Sequence, residues 1–219
     1  MNIECDVIYI YDIILHKYIR DHSMNINFCG YALIVLILYI CLKIYQESDV
    51  FNLKCIISDV DGKKYCVRER NKLELAADRL ATVNEKMKKL VDHCYETYPT
   101  RENIKRLKEG YNPKKIMETL PTSEYTAYSQ NKGEKLAFCL NKEKEGNQLI
   151  DPNTLMFVAT HELSHIATKS IGHKDEFWNN FKFLLGEAKK IGVYEPEDYK
   201  KKPKRYCGTN ITDNPYFDM

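Results

Sequence analysis

Net charge is almost absent from this chain, since 33 basic and 31 acidic residues leave +2 at neutral pH. That balance removes any general electrostatic reason to expect a nucleic-acid partner. One local run, Lys200, Lys201, Lys202, Lys204 and Arg205, reads as a solvated loop ahead of a contact for anionic lipid or nucleic acid. The eight cysteines include no C-x-x-C pair, and five of them (Cys55, Cys66, Cys94, Cys139, Cys207) lie in the part able to fold as a soluble domain. An odd number without paired spacing offers no disulfide framework, so reduced thiols are expected. Asn210-Ile211-Thr212 is a glycosylation sequon that matters only in a lumenal or extracellular domain.

Long apolar runs are equally scarce, with one exception. From Ser23 to Leu42 there are 20 consecutive residues without a formal charge, and Phe28 to Leu42 is almost wholly apolar. A helix there would be about 30 Å long, enough to cross a bilayer, with Lys43 and Tyr45 at its interface. No small-x-small site follows Leu42, and the segment before the run is long for a signal peptide. An uncleaved single-pass anchor is therefore expected, ahead of a signal peptide or a buried core helix. Its orientation stays open, because Lys17 and Arg20 on one side balance Lys43 and Lys54 on the other. Initiation at Met24 would remove Lys17 and Arg20 and tilt the count towards a cytoplasmic C-terminal domain. The expected organisation is a segment of unknown role over 1–27, an anchor over 28–46, and a domain over 47–219 with enough apolar residues to bury a core.

Within that domain, Cys55 to Val60 and Lys63 to Val67 are β-rich runs joined by Asp61-Gly62, a hairpin signal. Residues 71–97 carry an apolar stripe at helical spacing, and short helical pieces are expected around Ile104 to Leu107 and Pro113 to Leu120. His93 lies on the long helix and is left out of any site. Tyr125 to Gln130 and Lys135 to Leu140 form a second hairpin around Asn131-Lys132-Gly133, serving either as plain structure or as an edge that holds an extended peptide. Phe177, Trp178, Phe181, Leu184, Leu185 and Ala188 mark a late helix.

Between these lies His161-Glu162-Leu163-Ser164-His165, an H-E-x-x-H string. On a helix its two histidines stand about 40° apart on one face, so both imidazoles can grip one metal ion. Glu162 points aside, where it can reach a metal-bound water as general base. Asp151-Pro152 reads as N-cap and first helical residue, apolar residues run through the motif, and Gly172 is expected to end the helix and turn His173 back as a third ligand. Three protein ligands and an open position describe a catalytic Zn²⁺ site. His173 stands eight residues after His165 and no Met-turn is evident, so the metzincin pattern does not apply. Asp175, Glu176 and Glu187 are the next candidates for third ligand, and Tyr206 is a candidate donor to a tetrahedral intermediate.

The stretch LIDPNTLMFVATHELSHIATKSIGHKDEFWNNFKFLLGEA, followed by GVYEPEDY and YCGTNITDNPY, resembles the WLM-type metallopeptidases of large DNA viruses and, more distantly, SprT-like proteases. The resemblance implies ligands His161, His165 and His173, with Glu162 as catalytic base. It also implies an α+β zincin-like domain with an active helix and a small antiparallel sheet, here behind one transmembrane helix. Cellular relatives of this group act on DNA-crosslinked or SUMO-linked proteins, and a membrane span argues against carrying that substrate class over. The functional expectation is a zinc-dependent endopeptidase in a host or virion membrane, acting on protein or peptide substrates. The alternative is a non-catalytic, zinc-stabilised membrane or virion structural protein.

Overall fold

The computed structural model describes Phe28–Glu47 and residues 53–218. Residues 1–27, with the alternative start at Met24, residues 48–52 and the last residue lie outside the described residues. Contacts divide the chain into two units, Met1–Glu47 and Ser48–Met219. In the first, helix α1 (Phe28–Glu47) is long and apolar enough, by length and composition, to cross a membrane. Its apolar side chains are exposed, Leu38 at 56% and Ile44 at 63%.

The second unit is a mixed α+β fold. Its elements are β1 (Leu53–Ile57), β2 (Lys64–Arg68), α2 (Leu73–Thr97), α3 (Glu102–Gly110), β3 (Ile116–Glu118), β4 (Ala127–Gln130), β5 (Lys135–Phe138), α4 (Pro152–Ala167), α5 (Asp175–Lys190), β6 (Lys204–Tyr206) and β7 (Thr209–Ile211). Strands β1 to β5 form one sheet in the order β1-β2-β3-β5-β4. The β1–β2 and β4–β5 pairs are antiparallel hairpins, but β3 lies parallel to both β2 and β5. The sheet is therefore mixed, which corrects the expectation of an antiparallel one. Parallel neighbours require a crossover, and α2 with α3 supplies it between β2 and β3.

A second correction concerns Pro113 to Leu120, expected as helical. Ile116–Glu118 is a strand, with Ile116 and Glu118 buried. Three residues are too few to carry a period, and pairing on both sides decides the conformation.

Helix α4 is buried on almost every face, through Leu155, Met156, Phe157, Ala159, Leu163 and Ile166. It packs against α2, α3, α5 and β4. A helix apolar all round belongs in the centre of a domain, and each large side chain fully removed from water contributes about 1.5–3 kcal/mol. The tail after α5 closes over it: Tyr199 is fully buried, its ring 4.9 Å from that of Phe157.

Cys55 pairs with Cys66 across the β1–β2 hairpin, and Cys139 pairs with Cys207. This overturns the expectation of reduced thiols. The second bond joins residues 68 apart in sequence, a proximity that tertiary structure creates and spacing does not reveal. Cys94 keeps a buried thiol, pushed up to about 12 by burial and then by the charge of Glu187. The basic run is matched locally by acids: Lys200 with Asp213 and Asp218, Lys201 with Asp198, Lys204 with Glu197, and Arg205 with Glu143.

Candidate metal centre

Helix α4 starts where the sequence places it. Asp151 caps it, Oδ1 accepting the Thr154 backbone N–H at 2.9 Å and Oδ2 the Thr154 hydroxyl at 2.8 Å, with Pro152 first in the helix. Its end differs from expectation. The last helical residue is Ala167, and the Thr168 hydroxyl donates back to the Ser164 carbonyl at 2.7 Å. Gly172 lies in the following loop at φ +81°, where its left-handed conformation redirects the chain one residue before His173.

That turn closes a triangle. The Nε2 atoms of His161 and His165 are 3.2 Å apart, and Nε2 of His173 is 3.1 Å from each. Phe177 lies against all three rings, with centroid separations of 4.8, 4.4 and 4.6 Å to His161, His165 and His173. Trp178 borders the outer side, its indole N–H donating to the His173 carbonyl at 3.1 Å. His161 and His165 are half-buried while His173 is exposed, so the triangle opens to solvent on the His173 side.

Burial, then the charges of the neighbouring histidines, lowers His161 to about 3. His165 falls to about 4, again through burial first, then the charges of His173 and Lys132. Both imidazoles are neutral at physiological pH, the state in which a histidine can donate a lone pair. Glu162 is buried, and burial raises its carboxyl to about 8.

Glu187, Glu176 and Tyr206 are engaged elsewhere. Glu187 accepts the Tyr98 hydroxyl at 3.1 Å and pairs with His93 at 3.0 Å, which accounts for the histidine left out of the site. Glu176 accepts the backbone N–H groups of Lys169 and Ser170, and Asp175 opens α5 in the same first turn. Tyr206 is buried near enough to Glu162 to feel its charge, but its hydroxyl donates to the Thr126 carbonyl at 3.1 Å. Sequence reasoning missed Lys132, whose ammonium reaches the carbonyl end of α4, and took Phe177 and Trp178 only as core. Only the fold brings the hairpin turn to that helix end.

The fold and site together define a mixed α+β domain that presents a histidine triad from one central helix and its following loop. No family model matches the chain. It is similar to an uncharacterized protein of Acanthamoeba polyphaga mimivirus, 29% identical over 187 residues, which cover 84% of this chain and 92% of the relative. Uncharacterized proteins of invertebrate iridescent viruses 6 and 3 are 30% and 35% identical, covering 49% and 44% of this chain and 60% and 55% of theirs. Among solved structures, the crystal structure of Wss1 from Saccharomyces cerevisiae is 17% identical with a TM-score of 0.43, covering 57% of this chain and 87% of that one. The chemistry of the site rests on its own residues.

Proposed function

We propose that this chain is a zinc-dependent endopeptidase of the WLM type, tethered to a membrane by α1. The observation that carries the reading is the convergence of three imidazole nitrogens, two from H-E-x-x-H and one from the loop, beside a buried glutamate. The donor set suits zinc. At a Zn–N distance of about 2.0–2.1 Å, tetrahedral ligands stand about 3.3–3.4 Å apart, close to the 3.1–3.2 Å separations of this triangle. Three Nε2 atoms at mutual contact also cannot satisfy one another: each is either a donor or an acceptor, so at least one pair must clash. A shared cation removes that conflict. His161, His165 and His173 would hold the ion, leaving the solvent side for water and substrate.

Bound zinc lowers the pKa of a water and polarises a carbonyl oxygen. Glu162 then works as a proton carrier, taking the proton of the attacking water on its carboxylate and delivering it to the leaving amine. Burial alone holds this carboxyl at about 8, and a cation bound beside it would favour the carboxylate and bring it into the range where it can both take and return a proton. Strand β4, last in the sheet and packed beside α4, offers its outer backbone edge to an extended peptide. Pairing of that kind binds main chain and gives little sequence selectivity.

Glu162→Gln in the detergent-solubilised full chain tests the reading. The parent should hold one zinc and show chelator-sensitive proteolysis; the variant should keep its zinc and lose about 10²-fold or more in rate. A parent that binds zinc with no turnover would be a structural zinc protein, and the enzyme reading would fall. For the anchor, protease treatment of sealed vesicles should leave residues 53–218 wholly protected or wholly digested, because one span puts them on one side. Two separately protected fragments flanking a digested loop would reject a single span.

A further inference from the structure

The loop that carries His173 is gripped at its root by charged side chains from three different elements, and every grip falls on the backbone. Lys132 Nζ, at the β4–β5 turn, lies 2.6 Å from the Thr168 carbonyl oxygen, 3.2 Å from that of Ser170, and 3.4 Å from those of His165 and Lys169. From the opposite side, the Glu176 carboxylate accepts the N–H of Lys169 at 2.9 Å and of Ser170 at 3.1 Å. Arg106 on α3 donates to the Ala167 carbonyl at 3.0 Å and lies 3.4 Å from Glu176. One ammonium thus collects a carbonyl of the last turn of α4 and the carbonyls of the three residues after it, while one carboxylate collects the amides of Lys169 and Ser170 in the same stretch.

Lys132 reaches this position because its turn is locked against α4. Asn131, Lys132 and Gly133 all have positive φ, at 47°, 56° and 108°. A Cβ on Gly133 would stand 2.3 Å from the Gly110 carbonyl oxygen and 2.8 Å from Ile166 Cδ1, so only glycine permits the approach. The bound residues run from the second histidine, His165, to Ser170, three residues before the third.

We propose that Lys132 and Glu176 are positioning residues for the metal centre: together they order the root of the His173 loop, so that the third imidazole stands in place before an ion arrives. The inference rests on the metal-centre reading above. Neither residue contacts the ion in this scheme. Each acts by removing the ordering that metal binding would otherwise have to impose on the loop.

The test uses cobalt(II) as probe on the metal-free full chain in detergent, with affinity read by chelator competition and coordination by visible absorption. Lys132→Met and Glu176→Gln should each weaken cobalt binding about 10- to 100-fold and reduce the intensity of the four-coordinate bands, while Lys132→Arg, which keeps the charge, should restore most of both. The thermal midpoint of the metal-free protein is followed in parallel, since a merely structural role would lower it and leave affinity and spectrum at parent values. Parent-like affinity and spectrum in both variants would overturn the inference, and Glu176→Gln decides alone if Lys132→Met fails to fold. A parent that binds no cobalt would instead overturn the metal-centre reading, and this inference with it.

Discussion

The two half-buried histidines and Glu162 pull the stability of the metal-free protein in opposite directions with pH. In the unfolded chain His161 and His165 take protons below about 6.5, whereas in the fold they resist until about 3 and about 4. The unfolded state therefore binds more protons across that window, and stability is lost as pH falls through it. Glu162 has the reverse sign: its folded carboxyl titrates at about 8 against 4.5 unfolded, so its contribution is full at low pH and is lost as pH rises from 4.5 through 8. Two histidines outweigh one glutamate where the windows overlap, and only the glutamate acts above them. Urea midpoints of the metal-free chain should pass through a maximum at about pH 6.5–7 from these groups, and Glu162→Gln should flatten the alkaline limb. An alkaline limb unchanged in the variant would remove the burial argument for Glu162. At this scale the sequence was informative: H-E-x-x-H names the helix residues outright, and Gly172 marks the return to His173. Lys132 was not legible, because nothing local to Asn131-Lys132-Gly133 tells which helix end its ammonium will meet.

Among elements, the junction of the β4–β5 turn, the end of α3 and helix α4 is the tightest approach described. Gly133→Ala should cost about 2 kcal/mol or more, through both its positive φ and the collision of a Cβ with the Gly110 backbone. Gly186→Ala is the contrast, since it lies within α5 with open space around its Cβ position; there a neutral change or a gain of up to about 1 kcal/mol is expected. Denaturant midpoints with constant m-values would separate the two, and equal effects would contradict the packing described. The long helices were readable because their apolar periods run for several turns. Strand β3 was not, since Ile116–Glu118 is held by its neighbours on both sides and carries no period of its own. The mixed sheet followed from that same hidden strand, because without β3 only the two hairpins remain visible.

For the whole molecule, the Cys139–Cys207 bond closes the C-terminal hairpin onto the end of β5, and neither partner announces the other in sequence. Reducing it should lower stability by about 4 kcal/mol if loop-closure entropy governs, read as a shift in denaturant midpoint that Cys139→Ala/Cys207→Ala reproduces. A midpoint insensitive to reductant would show that the packing around Tyr199 and Tyr206 holds the tail unaided. The same bond has a topological consequence. Helix α4, the His173 loop and α5 all lie between residues 139 and 207, so the entire triad sits inside one covalent ring. A chain cut once by any protease between those two cysteines keeps both halves joined and stays in one piece until a reductant is added. A single nick within the ring is therefore visible only on a reducing gel.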